Sequence, residues 1–270
     1  MVPSINGVIY GMITLVRIIR KSIRQWNEWR VFWRVQNVKP IRLKDSVLFE
    51  IPPNDFHKRA IKIRDFKSTD YKVYQQIFIQ NELDSLIDVL RKKVNNKTLL
   101  YYVDVGMNIG LSGAYIKEHF PSARTIGVEP FRENFDIAKL NCEYQSVYLA
   151  GLGVSDTEKF TSFDEEYGHW GIRVRPDDNG DIDAISLSAL LDQLPQDSFK
   201  VIKMDIEGAE FRVINSDSFS QLKNFNVILV EIHSWHGDKV ELLNLIYREL
   251  QIPRKFQHVV MGEYDSFIEV

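Results

Sequence analysis

The chain has 270 residues, 44% of them hydrophobic and 26% charged, and a single cysteine, Cys142. That composition excludes a disordered or fibrous chain, an intramolecular disulfide framework and a cysteine-based metal cluster. The formal net charge of −3 conceals a split: residues 1–40 carry seven Lys/Arg against one acid, Glu28, while the remainder carries 27 basic and 36 acidic residues, so the body is not a general nucleic-acid binder.

Residues 1–16 are uncharged, but Pro3, Ser4, Asn6, Gly7 and Thr14 interrupt the apolar run. It falls short of the ~20 apolar residues of a spanning helix. The positive charges follow it instead of preceding it, unlike a secretory signal. At helical spacing Val8, Met12, Val16, Ile19, Ile23, Trp26 and Trp33 form a stripe, with Arg17, Arg20, Lys21 and Arg24 mostly off it. Two readings fit. Residues 5–35 form a basic amphipathic helix that holds a cytoplasmic protein at an anionic membrane surface, or the helix packs on the body or on a partner subunit.

Residues 41–98 read as a second unit that caps the rest. Ile41–Ile51 and Ala60–Phe66 alternate apolar and polar positions around Pro52-Pro53-Asn54-Asp55, the pattern of a β-hairpin or two short strands. Tyr71–Gln80 and Glu82–Lys93 read as helices. From residue 99 to 270 the pattern becomes strand–helix alternation. Strands are predicted at Leu99–Val105, Thr125–Glu129, Ser146–Leu149, Val201–Asp205 and Val227–Ile232, and helices at Gly110–His119, Arg132–Glu143, Ala209–Ser216 and Lys239–Leu250. Short apolar strands between amphipathic helices imply an α/β, doubly wound, mostly parallel sheet. Phe256–Met261 and Tyr264–Val270 read as a terminal antiparallel hairpin, which is the class I methyltransferase variant of the Rossmann-like fold.

Ligands of such sheets bind beyond the carboxyl ends of the strands. The first strand runs into Asp104-Val105-Gly106-Met107-Asn108-Ile109-Gly110, which is not the G-x-G-x-x-G dinucleotide fingerprint. An acid at that strand end opposes a diphosphate and suits an amine-bearing ligand, although Asp104 is also what a strand-to-helix turn takes as a cap. Glu129 ends the second strand, where an acid accepts hydrogen bonds from ribose hydroxyls. A nucleoside with an amino-acid tail and no phosphate describes S-adenosylmethionine. Asp156, after the third strand, is either an acceptor for the adenine amino group or a turn residue.

In Lys203-Met204-Asp205-Ile206-Glu207-Gly208-Ala209-Glu210, residues at spacing two share a strand face, so Lys203 and Asp205 point the same way. Glu210 reads as a complement to the following helix dipole. Glu231 and His233 share a face at the end of the fifth strand, next to Asp205. The segment Glu165–Asp178, with Gly168-His169-Trp170-Gly171, Arg173 and Arg175, reads as a loop: a lid, an aromatic sugar platform, or simply a packed tryptophan.

The segments YVDVGMNIGLSG, IGVEPFRENFDIAKLN, VIKMDIEGAEFRVI and ILVEIH resemble successive motifs of the FkbM family of S-adenosylmethionine-dependent methyltransferases. The resemblance covers roughly residues 99–235 and extends weakly upstream through STDYKVYQQIFIQNELDSL. It implies O-methylation of a hydroxyl on a saccharide, glycolipid or related natural product. It also implies cofactor binding by Asp104, Gly106, Asn108, Gly110, Glu129 and Asp156. Met107 stands where the family usually has a small residue.

Methyl transfer needs a proton acceptor for the hydroxyl, and Asp205, Glu231 and His233 are the candidates. The same three side chains are alternatively a divalent-cation set, although no metal site is predicted. Competing readings are a nicotinamide-dependent oxidoreductase and a catalytically idle cofactor-binding subunit.

Overall fold

The computed structural model describes residues 39–42, 47–64, 69–95, 97–163, 173–233, 237–252 and 255–270. The basic helix expected over residues 5–35 and the His169-Trp170 pair lie outside the described residues.

Strands β1 (Lys39–Arg42), β2 (Val47–Ile51) and β3 (Ile61–Ile63) form an antiparallel sheet. The run expected as one strand over Ile41–Ile51 is thus two, paired with Ile41 opposite Leu48. Helix α1 (Thr69–Tyr74) passes into a π-helical turn (Gln75–Ile79), and α2 (Asp84–Lys93) follows. A π turn inside a helical run is a recurrent mark of functional sites, and Gln76 and Ile77 face the cavity described below. This extension shares its core with the rest of the chain. Leu48, Ile61, Tyr74, Phe78 and Leu86 pack in one cluster with Leu100, Tyr102, Ile116 and Val227, and each fully buried Leu or Ile contributes about 1.5–3 kcal/mol. Asn141 fastens β3 to the core by accepting from the Lys62 amide (2.7 Å) and donating to the Lys62 carbonyl (2.9 Å).

The core runs β4 (Leu100–Val105), α3 (Leu111–His119), β5 (Arg124–Val128), α4 (Arg132–Asn141) and β6 (Ser146–Tyr148). Strands β7 (Gly151–Gly153), β8 (Lys159–Phe163), β9 (Arg173–Pro176) and β10 (Ile182–Ser186) then form a separate four-stranded sheet, followed by α5 (Leu187–Leu191). The described part of the segment read as a loop is therefore the edge strand β9. The chain returns through β11 (Phe199–Met204), α6 (Glu210–Ile214), a 3₁₀ helix (Asp217–Asn224), β12 (Val227–Val230), α7 (Lys239–Glu249) and the hairpin β13 (Phe256–Met261) and β14 (Tyr264–Glu269).

The central sheet has the order β13-β14-β12-β11-β4-β5-β6, parallel from β6 to β12 and antiparallel through the hairpin. This is the class I methyltransferase arrangement. Every residue of β4 and β12 is buried, as expected of parallel strands covered on both faces. Alternation along β4 sends Tyr102 to the face shared with the N-terminal extension and Tyr101 and Val103 to the face covered by α5, α6 and α7. The strand order reverses between β4 and β11, and ligands bind beyond the strand ends at such a point.

Candidate active site

Three acids that end strands are fixed by the same backbone device. The Glu129 amide donates to the Tyr148 carbonyl (3.0 Å), Asp205 to Val105 (3.1 Å) and Glu231 to Met204 (2.9 Å). Each ladder thereby runs one residue past its strand and delivers a carboxylate to the rim of a cavity of about 530 Å³.

On the β4–β5 side the wall is largely main chain. The amides of Gly106 and Met107 both donate to the Val128 carbonyl (3.0 and 3.1 Å), which folds the loop over the end of β5. Gly106 has φ +76°, and a β-carbon there would meet the Asp205 carbonyl oxygen at 1.8 Å, so only glycine fits. Asn108 is left-handed at φ 50°. Its amide donates to Glu129 Oε2 (2.9 Å), while its own Oδ1 is buried without a hydrogen-bond partner among the described residues. Glu129 Oε1 accepts from the Phe131 amide (3.1 Å) and Asn134 Nδ2 (3.3 Å). Burial pushes the Glu129 carboxyl up to about 7, against the pull of the Phe131 and Asn108 amides. Met107 fits because Gly127 faces it: a β-carbon at 127 would strike the Met107 sulfur at 2.2 Å.

The β11–β12 side is built from side chains. Lys203 Nζ lies 3.1 Å from Asp205 Oδ2 and 3.8 Å from Asp104 Oδ1. Burial opposes that ammonium, but the Asp205 and Asp104 carboxylates more than reverse the effect and hold it above the ordinary lysine value. His233 Nδ1 lies 3.0 Å from Glu210 Oε1, with Nε2 3.5 Å from Glu231 and 3.6 Å from Glu207. Burial works against the imidazolium, yet the Glu210 hydrogen bond and the surrounding carboxylates push His233 up to about 9. Burial and the Asp205 charge raise Glu207 to about 7 and move Glu231 in the same direction. One ligand-type atom each from Asp205, Glu231 and His233 lie within 4.8 Å of one another, the one such group among the described residues.

Of the expected site residues, Gly106, Asn108, Glu129, Asp205, Glu231 and His233 line the cavity; Asp104, Gly110 and Asp156 do not. Asp104 is adjacent to Lys203 in the parallel register and on the same sheet face, under α3. There it accepts from Ser112 Oγ and Tyr144 OH, fully buried. Its charge is answered by Lys203, so a ligand amine is not what it meets. Gly110, at φ +80°, starts α3 in close approach to Ala138 of α4. Asp156 is exposed and accepts from the Ser186 amide (2.7 Å), tying its turn to β10.

Glu210, in the first turn of α6 as expected, is also fully buried and holds both His233 and the Ile206 amide (3.1 Å). Arg173, from the segment read as a lid or sugar platform, lines the cavity; Glu82, Glu263 and Tyr264 also line it and were not anticipated. They lie far from the strand-end motifs in sequence and carry no local signal.

Among solved structures, the chain is similar to a TehB-like SAM-dependent methyltransferase from Corynebacterium glutamicum, with 12% identity over 74% of this chain and 97% of that one and a TM-score of 0.35. It is similar to the N-terminal domain of human METTL16 in complex with SAH, at 17% identity over 70% and 66% with TM-score 0.35. It is also similar to the sugar N-methyltransferase KedS8 from Streptoalloteichus, at 13% identity over 60% and 53% with TM-score 0.32. At such TM-scores these likenesses carry no argument. No curated protein matches the sequence. The Methyltransferase FkbM domain matches residues 104–261, more than half of the sequence. The chain belongs to the FkbM methyltransferase family.

Proposed function

We propose that the protein is an S-adenosylmethionine-dependent O-methyltransferase acting on a hydroxyl of a saccharide, glycolipid or related natural product. The observation that carries this reading is the pairing of two unlike walls in one cavity: Glu129 and Asn108 on one side, and Asp205, Glu207, Glu231, Lys203 and His233 on the other. The first wall fits the cofactor. The buried, unpartnered Oδ1 of Asn108 is an acceptor for a ligand N–H or O–H, and Glu129 keeps about one lone-pair site for a ribose hydroxyl beyond its bonds to Asn108, Phe131 and Asn134. The acceptors Glu129 and Asn108 Oδ1, with Gly106 admitting close approach, suit a hydroxyl- and amine-bearing ligand better than a phosphate.

When bound, S-adenosylmethionine supplies an electrophilic methyl group on a sulfonium for in-line displacement. In this proposal the proton acceptor is a carboxylate of the second wall; Asp205 lies at the strand crossover, in the cavity, with Lys203 fixing one of its oxygens at 3.1 Å. Lys203 holds the carboxylate in one orientation, which is positioning. His233, held through Nδ1 by Glu210, turns its Nε2 toward Glu231 and Glu207. The β9 strand and Tyr264 border the acceptor end, an aromatic-bearing wall suited to a sugar ring.

The test is S-adenosylhomocysteine binding by the full chain, followed by radiolabelled methyl transfer into fractionated extract with lipid-linked and soluble acceptors separated. Label in a base-stable, hydroxyl-bearing glycan or glycolipid is the expected result. Absence of cofactor binding sinks the reading. The tryptophan-bearing basic segment over residues 5–35 is assigned to an anionic membrane surface. No helix among the described residues is long and apolar enough to cross a membrane. Deleting residues 1–35 is expected to spare cofactor binding and reduce association with anionic liposomes; equal association with and without the segment would favour packing on the body or a partner.

A further inference from the structure

We propose that Asp205, Glu231 and His233 form a binding site for one divalent cation of the Mg²⁺/Mn²⁺ class at the acceptor end of the cavity. The inference deepens the methyltransferase reading and rests on it for its role, which is to activate the acceptor hydroxyl.

Distance supports the ligand set. The three ligand atoms lie within 4.8 Å of one another. Metal–oxygen bonds of ~2.1 Å place cis ligands about 3 Å apart and trans ligands about 4.2 Å apart. A few tenths of an ångström to about an ångström of side-chain movement closes the set around one ion. All three residues sit at the ends of adjacent parallel strands, with the Asp205 and Glu231 amides pinned to the neighbouring strand.

The histidine distinguishes this group from a plain acidic cluster. His233 is more than nine-tenths buried, and its ring direction is set from outside the ligand set. Glu210, fully buried, takes Nδ1 at 3.0 Å, and the same Glu210 oxygen accepts from the Ile206 amide. That turns Nε2 toward Glu231, at 3.5 Å. Ligating histidines commonly donate their other ring N–H to a carboxylate in this way, which fixes tautomer and orientation. Glu210 therefore occupies the outer position of a carboxylate–histidine–metal chain.

Donor chemistry selects the ion class. Two carboxylates and one imidazole, with no thiolate, favour Mg²⁺ or Mn²⁺ over soft or thiol-seeking ions. Lys203 engages one oxygen of Asp205 and leaves the other for the ion. Three protein ligands leave open positions on the cavity side for water and for an acceptor hydroxyl, whose acidity an ion there raises. Glu207 lines the cavity beside the set, 3.6 Å from His233 Nε2.

The test uses the full chain freed of metal by EDTA and titrated with Mn²⁺ under electron paramagnetic resonance, alongside calorimetric binding of S-adenosylhomocysteine. One Mn²⁺ per chain is expected. Asp205→Asn and Glu231→Gln each weaken it at least tenfold, Glu210→Gln weakens it about tenfold, and His233→Asn removes the nitrogen modulation of the spin echo. Retained S-adenosylhomocysteine binding in these variants shows that they fold. Normal S-adenosylhomocysteine binding with no Mn²⁺ bound up to millimolar concentration overturns the ion site and leaves the methyltransferase reading intact. Mn²⁺ bound equally well by Asp205→Asn and Glu231→Gln also overturns it. Mn²⁺ bound at these residues without S-adenosylhomocysteine binding supports the ion site and overturns the methyltransferase reading instead.

Discussion

The two walls of the cavity are held by different means. At the ends of β4 and β5 the shape comes from main-chain amides folding the loop over β5 and from a carboxylate pinned by amide donors. At the ends of β11 and β12 it comes from charged side chains holding one another, with Lys203 between two acids and His233 among three. Main-chain geometry tolerates the loss of a side chain in a way that a charge network does not. A change on the first wall should alter ligand affinity, whereas a change on the second should alter stability and charge as well.

Lys203 tests that contrast most severely, because it joins the walls through buried Asp104. Lys203→Met leaves an uncompensated buried acid, and unfolding should lose about 3–5 kcal/mol by chemical denaturation. A loss below about 1 kcal/mol would mean that the walls are independent. Next in size, Glu129→Ala should weaken S-adenosylhomocysteine 10–100-fold, or about 1.4–2.8 kcal/mol, while Asp205→Asn leaves that affinity within about threefold. Equal losses would erase the division between cofactor and acceptor walls.

A smaller effect concerns pH. Glu129 sits at about 7 when folded, above its ordinary value, so the native state holds the proton more tightly. Its stabilising contribution is complete below pH ~4.5 and is lost as pH rises through 7, a change on the order of 1–3 kcal/mol. Melting temperatures of wild type and Glu129→Gln should therefore shift in favour of the glutamine variant between pH 5 and pH 8. A constant difference would mean that the carboxylate is better solvated than its burial implies. The smallest effect belongs to Asp156→Ala, which removes one bond to the Ser186 amide. It should cost under about 1 kcal/mol and leave S-adenosylhomocysteine affinity unchanged; a large affinity loss would return Asp156 to the cofactor site.

The central sheet was legible because its strands are continuous apolar runs and its helices keep a helical period. The β7–β10 sheet was not. Its strands are three to five residues long, β7 reads Gly-Leu-Gly, and β9 reads Arg-Val-Arg-Pro, so no apolar alternation marks them. Strand-end acids were legible as a set, but their individual surroundings were not. A carboxylate at the end of a strand lies in the crevice or under a helix according to which sheet face it takes. Asp104 takes the face covered by α3, and the cation that answers it comes from a strand 99 residues later. The contact of Glu210 with His233 went unread because an acid in a first helical turn has a sufficient local explanation. Its partner, His233, lies beyond the next strand.

The cavity's far rim joins the two ends of the described chain: Gln76 and Glu82 from before the central sheet, and Glu263 and Tyr264 from its last hairpin. At Gly262 a β-carbon would meet Glu82 Cγ at 2.9 Å, and Lys93 donates to the Glu269 carbonyl. During synthesis the cofactor wall emerges from the ribosome well before the rim is complete. A nascent chain paused before the hairpin exposes Asp205, Glu231 and His233 to solvent without their enclosure. Because β14 pairs with β12 and Phe256 and Phe267 are buried in the core of the central sheet, the terminal hairpin completes that core and the rim of the cavity together.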